Sequence, residues 1–459
     1  MRLLRFAVVA VAAFASGSAY AFHDGGVAAC DGCHVMHNAS NGQTRSTIGG
    51  AGQAKWTNKV NPFLLQGADQ SSTCLNCHGG QGSPGGEDFV FSDVKAPLAA
   101  GVAPANYTPG GDFGWLTKNY SWVYPWGQPG TSPGQRHGHS IIAKDFGLTT
   151  IDNNHAPGGA FMTGTGIASL ACSNCHDPHG RYRLQGDKAA PVVRINSDAG
   201  ALPIVASGSY WPAYDPSNVA VDISQNAIGV YRLLAGKNYR PVSNPGFPFQ
   251  SDPPLAIAPT IYNQQETTGN EVRVAYGQGM GEWCANCHNY IHLDNYATGA
   301  DGLVHPAGNG AKLRQAQADI YNSYKGSGDL TATPTYYMSI VPFETQVTNL
   351  DTLGAASSNK GTPGTDAGIF KAVANQSNVM CLSCHRAHAS AWDNMLRWNM
   401  NATFVTVNGT YPGPTDTDNG QGRQLAETTA GYYGRSVGAA AGQLHSYNRS
   451  LCNKCHAKD

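Results

Sequence analysis

Long apolar runs, spare cysteines and a dominant sign of charge are all missing from this 459-residue chain. No stretch reaches the ~20 apolar residues that a membrane-spanning helix needs, so no membrane span is expected. Lys and Arg number 29 against 30 Asp and Glu, a balance without the basic excess that nucleic-acid binding requires. Neither a phosphate-binding glycine loop nor a hydrolase nucleophile motif is present. Regular structure is also in short supply. With 56 Gly and 26 Pro, the chain breaks its own helices and strands too often for long elements. Yet 8 Trp, 21 Tyr and 14 Phe exclude a disordered polymer, because so many rings need something to pack against.

What is there begins with an export signal. Arg2 and Arg5 precede the short apolar run "FAVVAVAAFA", and "SAYA" supplies a small-x-small cleavage pattern ending at Ala21. Residues 1–21 are read as a signal peptide and 22–459 as one exported unit. Cleavage removes two arginines and no acid, leaving 27 basic against 30 acidic residues, and haem carboxylates would add to that acidity.

All 12 cysteines fall in C-x-x-C-H, and none is left over. The six motifs are Cys30/Cys33/His34, Cys74/Cys77/His78, Cys172/Cys175/His176, Cys284/Cys287/His288, Cys381/Cys384/His385 and Cys452/Cys455/His456. Disulfides would account for the even number but not for the fixed gap or the histidine that follows each pair. Zinc sites made of two C-x-x-C halves place them ~15–20 residues apart. Here successive first cysteines are 44, 98, 112, 97 and 71 residues apart. The motif is that of covalent haem c: two thioethers on one turn of chain, with the next histidine over the iron as proximal ligand. Six haems c would supply the core that the aromatic residues need.

Each iron has a second axial position. Ten histidines remain: His23, His37, His137, His139, His155, His179, His292, His305, His388 and His445. Methionine competes for such positions, but Met36, Met162, Met280, Met338, Met380, Met395 and Met400 are read as packing residues. Four histidines follow a motif closely, in "CHVMH" (His37), "CHDPH" (His179), "CHNYIH" (His292) and "CHRAH" (His388). On a helical turn, offsets of three or four put both rings on one face with Cβ atoms ~5–6 Å apart. The porphyrin separates the two ligands of one iron, so the second ring is expected to reach a neighbouring haem. His139 and His305 lie in Gly/Pro-rich loops and, with His23, complete the distal candidates. His137, His155 and His445 are the surplus, with hydrogen-bonding or solvated roles.

The expected fold is a multihaem cytochrome c, predominantly coil with short α and 3-10 helices and very few short strands, packed around the haems. "QSNVMCLSCHRAHASAWDNMLRWN" has the most helical apolar spacing, "APVVRI" reads as a strand, and the haemless stretch from Gly180 to Gly281 as a surface-shaping lobe. "DTDNG" at Asp416–Gly420 matches part of a calcium loop but lacks its closing Glu. Two functions compete: an electron conduit with every axial position filled, and a periplasmic multihaem reductase of the nitrite-reducing kind with one open iron. Those reductases commonly exchange one proximal histidine for lysine, whereas all six motifs here end in His. A sensor or a soluble shuttle is a lesser possibility.

"FHDGGVAACDGCHVMHN", "LLQGADQSSTCLNCH", "TPGGDFGW", "CHDPHGRYR", "VAYGQGMGEWCANCH", "HPAGNGAK", "YNSYKGSGDLT", "CLSCHRAHAS" and "LCNKCHAKD" occur in that order from Phe22 to Asp459. Together they resemble the hexahaem outer-surface c-type cytochromes of metal-reducing bacteria, the OmcS type. The looser stretches are Ser207–Gln264 and Gln346–Ser377. The resemblance implies bis-histidine haems in a continuous chain and a mostly coil fold. It also implies polymerisation into extracellular filaments that carry electrons to metal oxides, electrodes, partner cells and other multihaem cytochromes. The histidine at the position of His37 is implied to ligate the haem that Cys381, Cys384 and His385 hold in the adjacent subunit. His137, His155 and His445 match no position of that ligand set.

Overall fold

Glycine and proline set the length of every element. Among the described residues the longest helices, Gln70–His78, Gln315–Ser323 and Leu350–Ser358, have nine residues each. The longest strands, Tyr182–Asp187 and Ala190–Ile195, have six. The computed structural model describes residues 30–35, 39–40, 43–44, 63–79, 94, 98–149, 170–195, 202, 204–207, 222–242, 245–258, 266, 274–288, 306–323, 341–358, 372–438, 444–449 and 451–456. The expected signal peptide and His23, His37, His155, His292 and His305 lie outside them. No helix among the described residues is long and apolar enough to cross a membrane.

The helix Gln70–His78 shows how such short pieces are fixed. The Asp69 carboxylate caps it, one oxygen accepting Ser72 N–H at 2.8 Å. Its other oxygen accepts Lys144 N–H, also at 2.8 Å, which ties the helix to the 3-10 turn Lys144–Phe146. The second motif is therefore anchored by side-chain bonds to a distant loop rather than by its own length.

The "APVVRI" strand is present as Ala190–Ile195. It forms an antiparallel hairpin with Tyr182–Asp187, Tyr182 opposite Ile195 and Asp187 opposite Ala190. Ala227–Gly229 pairs antiparallel on the other side, and Ile204–Ser207 adds a parallel edge. Tyr182, Leu184, Ile223, Ile228 and Phe249 pack beneath this sheet. Leu350 and Leu353, from the helix Leu350–Ser358, complete the cluster. The Gly180–Gly281 stretch thus draws part of its core from outside itself.

A second cluster runs from Leu75 to Leu451 and is rich in rings. Trp392 packs on Tyr432 at 4.9 Å between centroids, and Tyr432 stacks on Tyr411 at 5.3 Å. Arg423 lies buried between Tyr120 (4.3 Å) and Trp392 (4.7 Å), a cation held by two aromatic faces. Its guanidinium donates to Ala391 O at 2.9 Å and Ser132 Oγ at 3.0 Å.

The stretch "QSNVMCLSCHRAHASAWDNMLRWN", whose spacing points to a short helix under its motif, has one there. Only Cys381–Cys384 is α-helical, and His385 turns extended at φ −108°, ψ 160°. The chain then folds back: Arg386 N–H donates to Met395 O at 2.7 Å and Arg397 N–H to Cys384 O at 2.8 Å. This two-stranded bridge takes the hydrogen bonds that a continuing helix would use. Leu396, a bridge residue, and Trp398, in a bend, are buried beyond the helix.

Replacing Arg423 by Ala removes a cation–π pair and leaves buried acceptors without their donor. The expected loss is about 3–5 kcal/mol, seen as a lower denaturation midpoint in far-UV circular dichroism of the holoprotein. Arg423→Met, which keeps the volume, is expected to recover part of it.

Candidate metal centres

Each C-x-x-C-H forms one turn of chain. The histidine N–H donates back to the first cysteine's carbonyl at 2.8 Å in His34, 3.0 Å in His176, 3.0 Å in His288, 2.9 Å in His385 and 3.0 Å in His456. That i→i−4 bond brings both sulfurs and the imidazole to one side of a single turn. His78 ends the helix Gln70–His78, so its motif lies within a longer helix.

Three of these imidazoles face a second histidine from far along the chain. The centroids of His34 and His179 are 6.4 Å apart with planes at 9°. His176 and His388 are 6.3 Å apart, and His139 and His288 6.2 Å apart. Two imidazoles bound at ~2 Å on opposite sides of one metal ion have centroids ~6 Å apart. The three spacings agree with each other and with that value. His179 follows the third motif but faces the first, and His388 follows the fifth but faces the third. The helical-turn geometry expected for "CHDPH" and "CHRAH" is absent, since His176 and His385 are both extended bridge residues. A sharp turn achieves what the helix face was expected to do.

Second partners orient these rings. Nδ1 of His34 bonds Phe63 O at 2.8 Å, that of His176 bonds Arg232 O at 2.7 Å, and that of His385 bonds Asn394 O at 2.8 Å. Nδ1 of His139 bonds Ala387 O at 2.7 Å. A carbonyl cannot donate, so Nδ1 carries the proton in each and Nε2 is left as the ligand atom. Burial lowers the His139 pKa. His388 is pushed down to about 3 by burial and by the neighbouring His176 and His139. Both are therefore held neutral, the form that binds a metal.

Close backbone approach places His139 and His388. His388 N–H donates to Gly110 O at 2.6 Å, and His139 N–H donates to His388 O at 3.0 Å. Gly111 adopts φ +89°, and a Cβ there would lie 1.9 Å from Ala389 O. A Cβ on Gly138 would lie 2.3 Å from His388 O. The glycines of "PGGDFGW" and "RHGHS" therefore let two ligand-bearing segments touch. Surplus His137 is buried with both nitrogens engaged, Nδ1 on Trp115 O at 3.0 Å and Nε2 on Ser132 Oγ at 2.8 Å. His445 is also buried, its N–H on Asn448 Oδ1 at 2.5 Å.

The cysteines show how motifs adjoin. Cysteines of successive motifs interact: Cys33 with Cys77, Cys175 with both Cys284 and Cys287, and Cys384 with both Cys452 and Cys455. First cysteines also meet, Cys74 with Cys172 and Cys284 with Cys381, within hydrogen-bonding reach. Burial raises the thiols of Cys287 and Cys384 to about 12, the latter helped by Cys452 and Cys455. Metal-thiolate sites need the opposite shift. Among the described residues no group of three or more His, Cys, Asp or Glu is placed to hold a metal ion. The Asp416 carboxylate of "DTDNG" is engaged by the Asn419 side chain, at 2.9 and 3.1 Å. Two-histidine centres beside paired cysteines are what haem c requires, and these residues fit it.

No family model matches the chain. It is 44% identical over 452 residues to the C-type cytochrome OmcS of Geobacter sulfurreducens, covering 96% of this chain and 95% of that one. The chain belongs to the OmcS-type c-type cytochromes. Its structure is similar to a cryo-EM structure of OmcS nanowires from that organism, with a TM-score of 0.76 and 42% identity over 95% of this chain and 100% of that one. A structure of the outer membrane cytochrome S filament gives 0.73 and 40% over the same coverage. As in that family, the fold is mostly coil with few short helices and small strands, and the cofactor class is haem c.

Two charged groups beside this OmcS-type array gave no sequence signal. Glu266 is buried with Arg386 at 2.6 Å and Arg397 at 3.7 Å. Burial raises its carboxyl, but the two guanidiniums outweigh that and hold it low, so positive charge is in excess next to His385. Glu344 lies between the fourth and fifth motifs, accepting Met280 N–H at 2.6 Å and exchanging backbone bonds with Asn378. Burial pushes its pKa up to about 8. The folded state therefore binds a proton that the unfolded chain releases above about 4.5. Stability from this group is present at low pH and is lost as pH rises towards 8. Thermal melts across pH 4 to 9 should show that decline in the wild type and a flatter profile in Glu344→Gln.

Proposed function

We propose that this chain is an extracellular, outer-surface electron conduit that binds six haems c, one at each C-x-x-C-H, and polymerises into filaments. Haem c, when bound, supplies a one-electron iron couple. The chain supplies thioether sulfurs, two imidazoles per iron, and the spacing between centres. The opposed imidazole pairs carry this reading. Where both axial positions are taken by histidine, as in these three pairs, no position is open to a substrate, which favours a conduit over a reductase and argues for no enzymatic activity. The similar structures, of OmcS nanowires and of the outer membrane cytochrome S filament, support the assembly.

His34, His78, His176, His288, His385 and His456 are the proximal ligands in this proposal. His179 serves the iron of His34, His388 that of His176, and His139 that of His288. The first two follow one rule: a histidine just after a motif ligates the iron two motifs earlier. Extended, the rule gives His292 to the iron of His78. It sends His37 to a fifth-motif iron that its own chain cannot offer, which is His385 of a neighbouring copy. The second and sixth motifs have no following histidine. The irons two places before them must then use loop histidines, His139 for the fourth motif and His305 or His23 for the sixth.

Cysteine adjacency supports the same assembly. Successive motifs adjoin through their cysteines, and Cys30 of the first motif and Cys452 of the sixth are both exposed. A second copy setting its first motif against the sixth continues the series. Metal oxides, electrodes, partner cells and other multihaem cytochromes are the acceptors this implies.

The ferric holoprotein should be low-spin and six-coordinate throughout. A substantial high-spin fraction at full haem occupancy would favour the reductase. His37→Ala should give folded subunits with one perturbed haem and no filaments in electron micrographs, and normal filaments would rule out the joint. His139→Ala should convert one haem to high-spin while filaments persist.

A further inference from the structure

The first, third and fifth motifs share a backbone arrangement that their sequences conceal. In each, the proximal histidine forms an isolated antiparallel bridge with a leucine: His34 with Leu65, His176 with Leu234, His385 with Leu396. The residue after the histidine donates to the carbonyl just before that leucine: Val35 to Leu64 at 2.6 Å, Asp177 to Leu233 at 2.9 Å, Arg386 to Met395 at 2.7 Å. The residue after the leucine donates to the second cysteine: Gln66 to Cys33 at 2.9 Å, Ala235 to Cys175 at 2.9 Å, Arg397 to Cys384 at 2.8 Å. The carbonyl two before the leucine, of Phe63, Arg232 or Asn394, takes the imidazole Nδ1.

Between those two carbonyls the chain is left-handed. Leu64 has φ 54°, Leu233 φ 56° and Met395 φ 57°. This conformation is uncommon for residues other than glycine, and a bulky side chain makes it costly. It turns consecutive carbonyls to different jobs: the first faces the imidazole and the second faces the N–H after the histidine. Three independent stretches, "FLLQ", "RLLA" and "NMLR", hold a left-handed residue against the same motif position, and in the second and third the residue before it, Arg232 (φ 49°) or Asn394 (φ 60°), is left-handed as well.

We propose that Phe63–Gln66, Arg232–Ala235 and Asn394–Arg397 are one clamp, used three times, whose left-handed residue positions a backbone carbonyl on the proximal imidazole and thereby sets the ligand strength of that haem. The clamp rests on the haem-ligand reading given under Proposed function. A carbonyl accepting Nδ1–H makes the imidazole a stronger donor to iron, which favours the ferric state and lowers the reduction potential. Leu64, Leu233 and Met395 are positioning residues, acting through His34, His176 and His385.

The test substitutes the left-handed residue in two clamps of the holoprotein. Leu64 is exposed and Met395 half-buried, so backbone conformation dominates the effect over lost packing. Valine, β-branched, resists positive φ, whereas glycine adopts it freely. Leu64→Val and Met395→Val should each shift one reduction midpoint upward in spectroelectrochemical titration and alter one low-spin electron paramagnetic resonance signal. Leu64→Gly and Met395→Gly should keep wild-type midpoints and signals. Unchanged potentials in both valine variants, or equal shifts in the valine and glycine variants, would overturn the clamp. If one valine variant fails to take up haem, the other decides. A high-spin wild-type protein would instead defeat the ligand reading itself, and it is seen before any variant is made.

Discussion

An iron between two imidazoles is a cross-link, and in the proposed ligand set its two ends come from distant parts of one chain. His34 faces a histidine 145 residues on, His176 one 212 residues on, and His139 one 149 residues on. Closing loops of that size costs entropy that grows slowly with length, so a few strong links across long loops stabilise efficiently. A chain with 41% hydrophobic residues and no helix over nine residues among those described could not rely on helix packing. In the proposed ligand set, covalent attachment fixes one end of each link and the distal imidazole the other.

The protein around these links mainly manages polar groups. Coil exposes backbone donors and acceptors that helices would have satisfied internally. Here the motifs' own backbone is satisfied by bridges to other coil, as at His385 with Leu396 and Ala389 with both Gly111 and Gly138. Buried Arg423, Arg386 and Lys118 each sit on aromatic faces or carbonyl oxygens rather than in water. Lys118 also meets Glu427 at 2.5 Å with both side chains buried. Aromatic rings and long cations therefore fill space that aliphatic side chains occupy in ordinary domains.

Residue types whose chemistry is local were legible in the sequence. The C-x-x-C-H turns, the "APVVRI" strand and the scarcity of long elements follow from spacing and composition. At Cys381–Asn399 the apolar spacing runs on past the short helix Cys381–Cys384, because the backbone there folds onto itself and a bridge can leave the same spacing. The carbonyls on His34, His176 and His385 were out of reach for a different reason. A main-chain acceptor has no residue identity, and the bridging leucine follows its histidine by 31, 58 or 11 residues. Unequal loops erase any period. Which iron His179 and His388 face was likewise hidden, since spacing excluded their own haem without naming another.

The pairing rule also bears on why such a chain would assemble. If each histidine after an odd motif reaches two motifs back, the series cannot close within one molecule. The imidazole after the first motif would then have no iron of its own chain to receive it, and the fifth-motif iron of a neighbouring copy would be its counterpart. A second copy meets that need with contacts already used twice inside the subunit, so the interface requires no new chemistry. Polymerisation in this view is the internal repeat continued past the end of the chain. In this view the interface reuses an imidazole pair like His34–His179 and His176–His388, whose centroids are 6.4 and 6.3 Å apart. Uniform spacing is what a conduit needs, because the slowest transfer between neighbouring centres limits the whole chain.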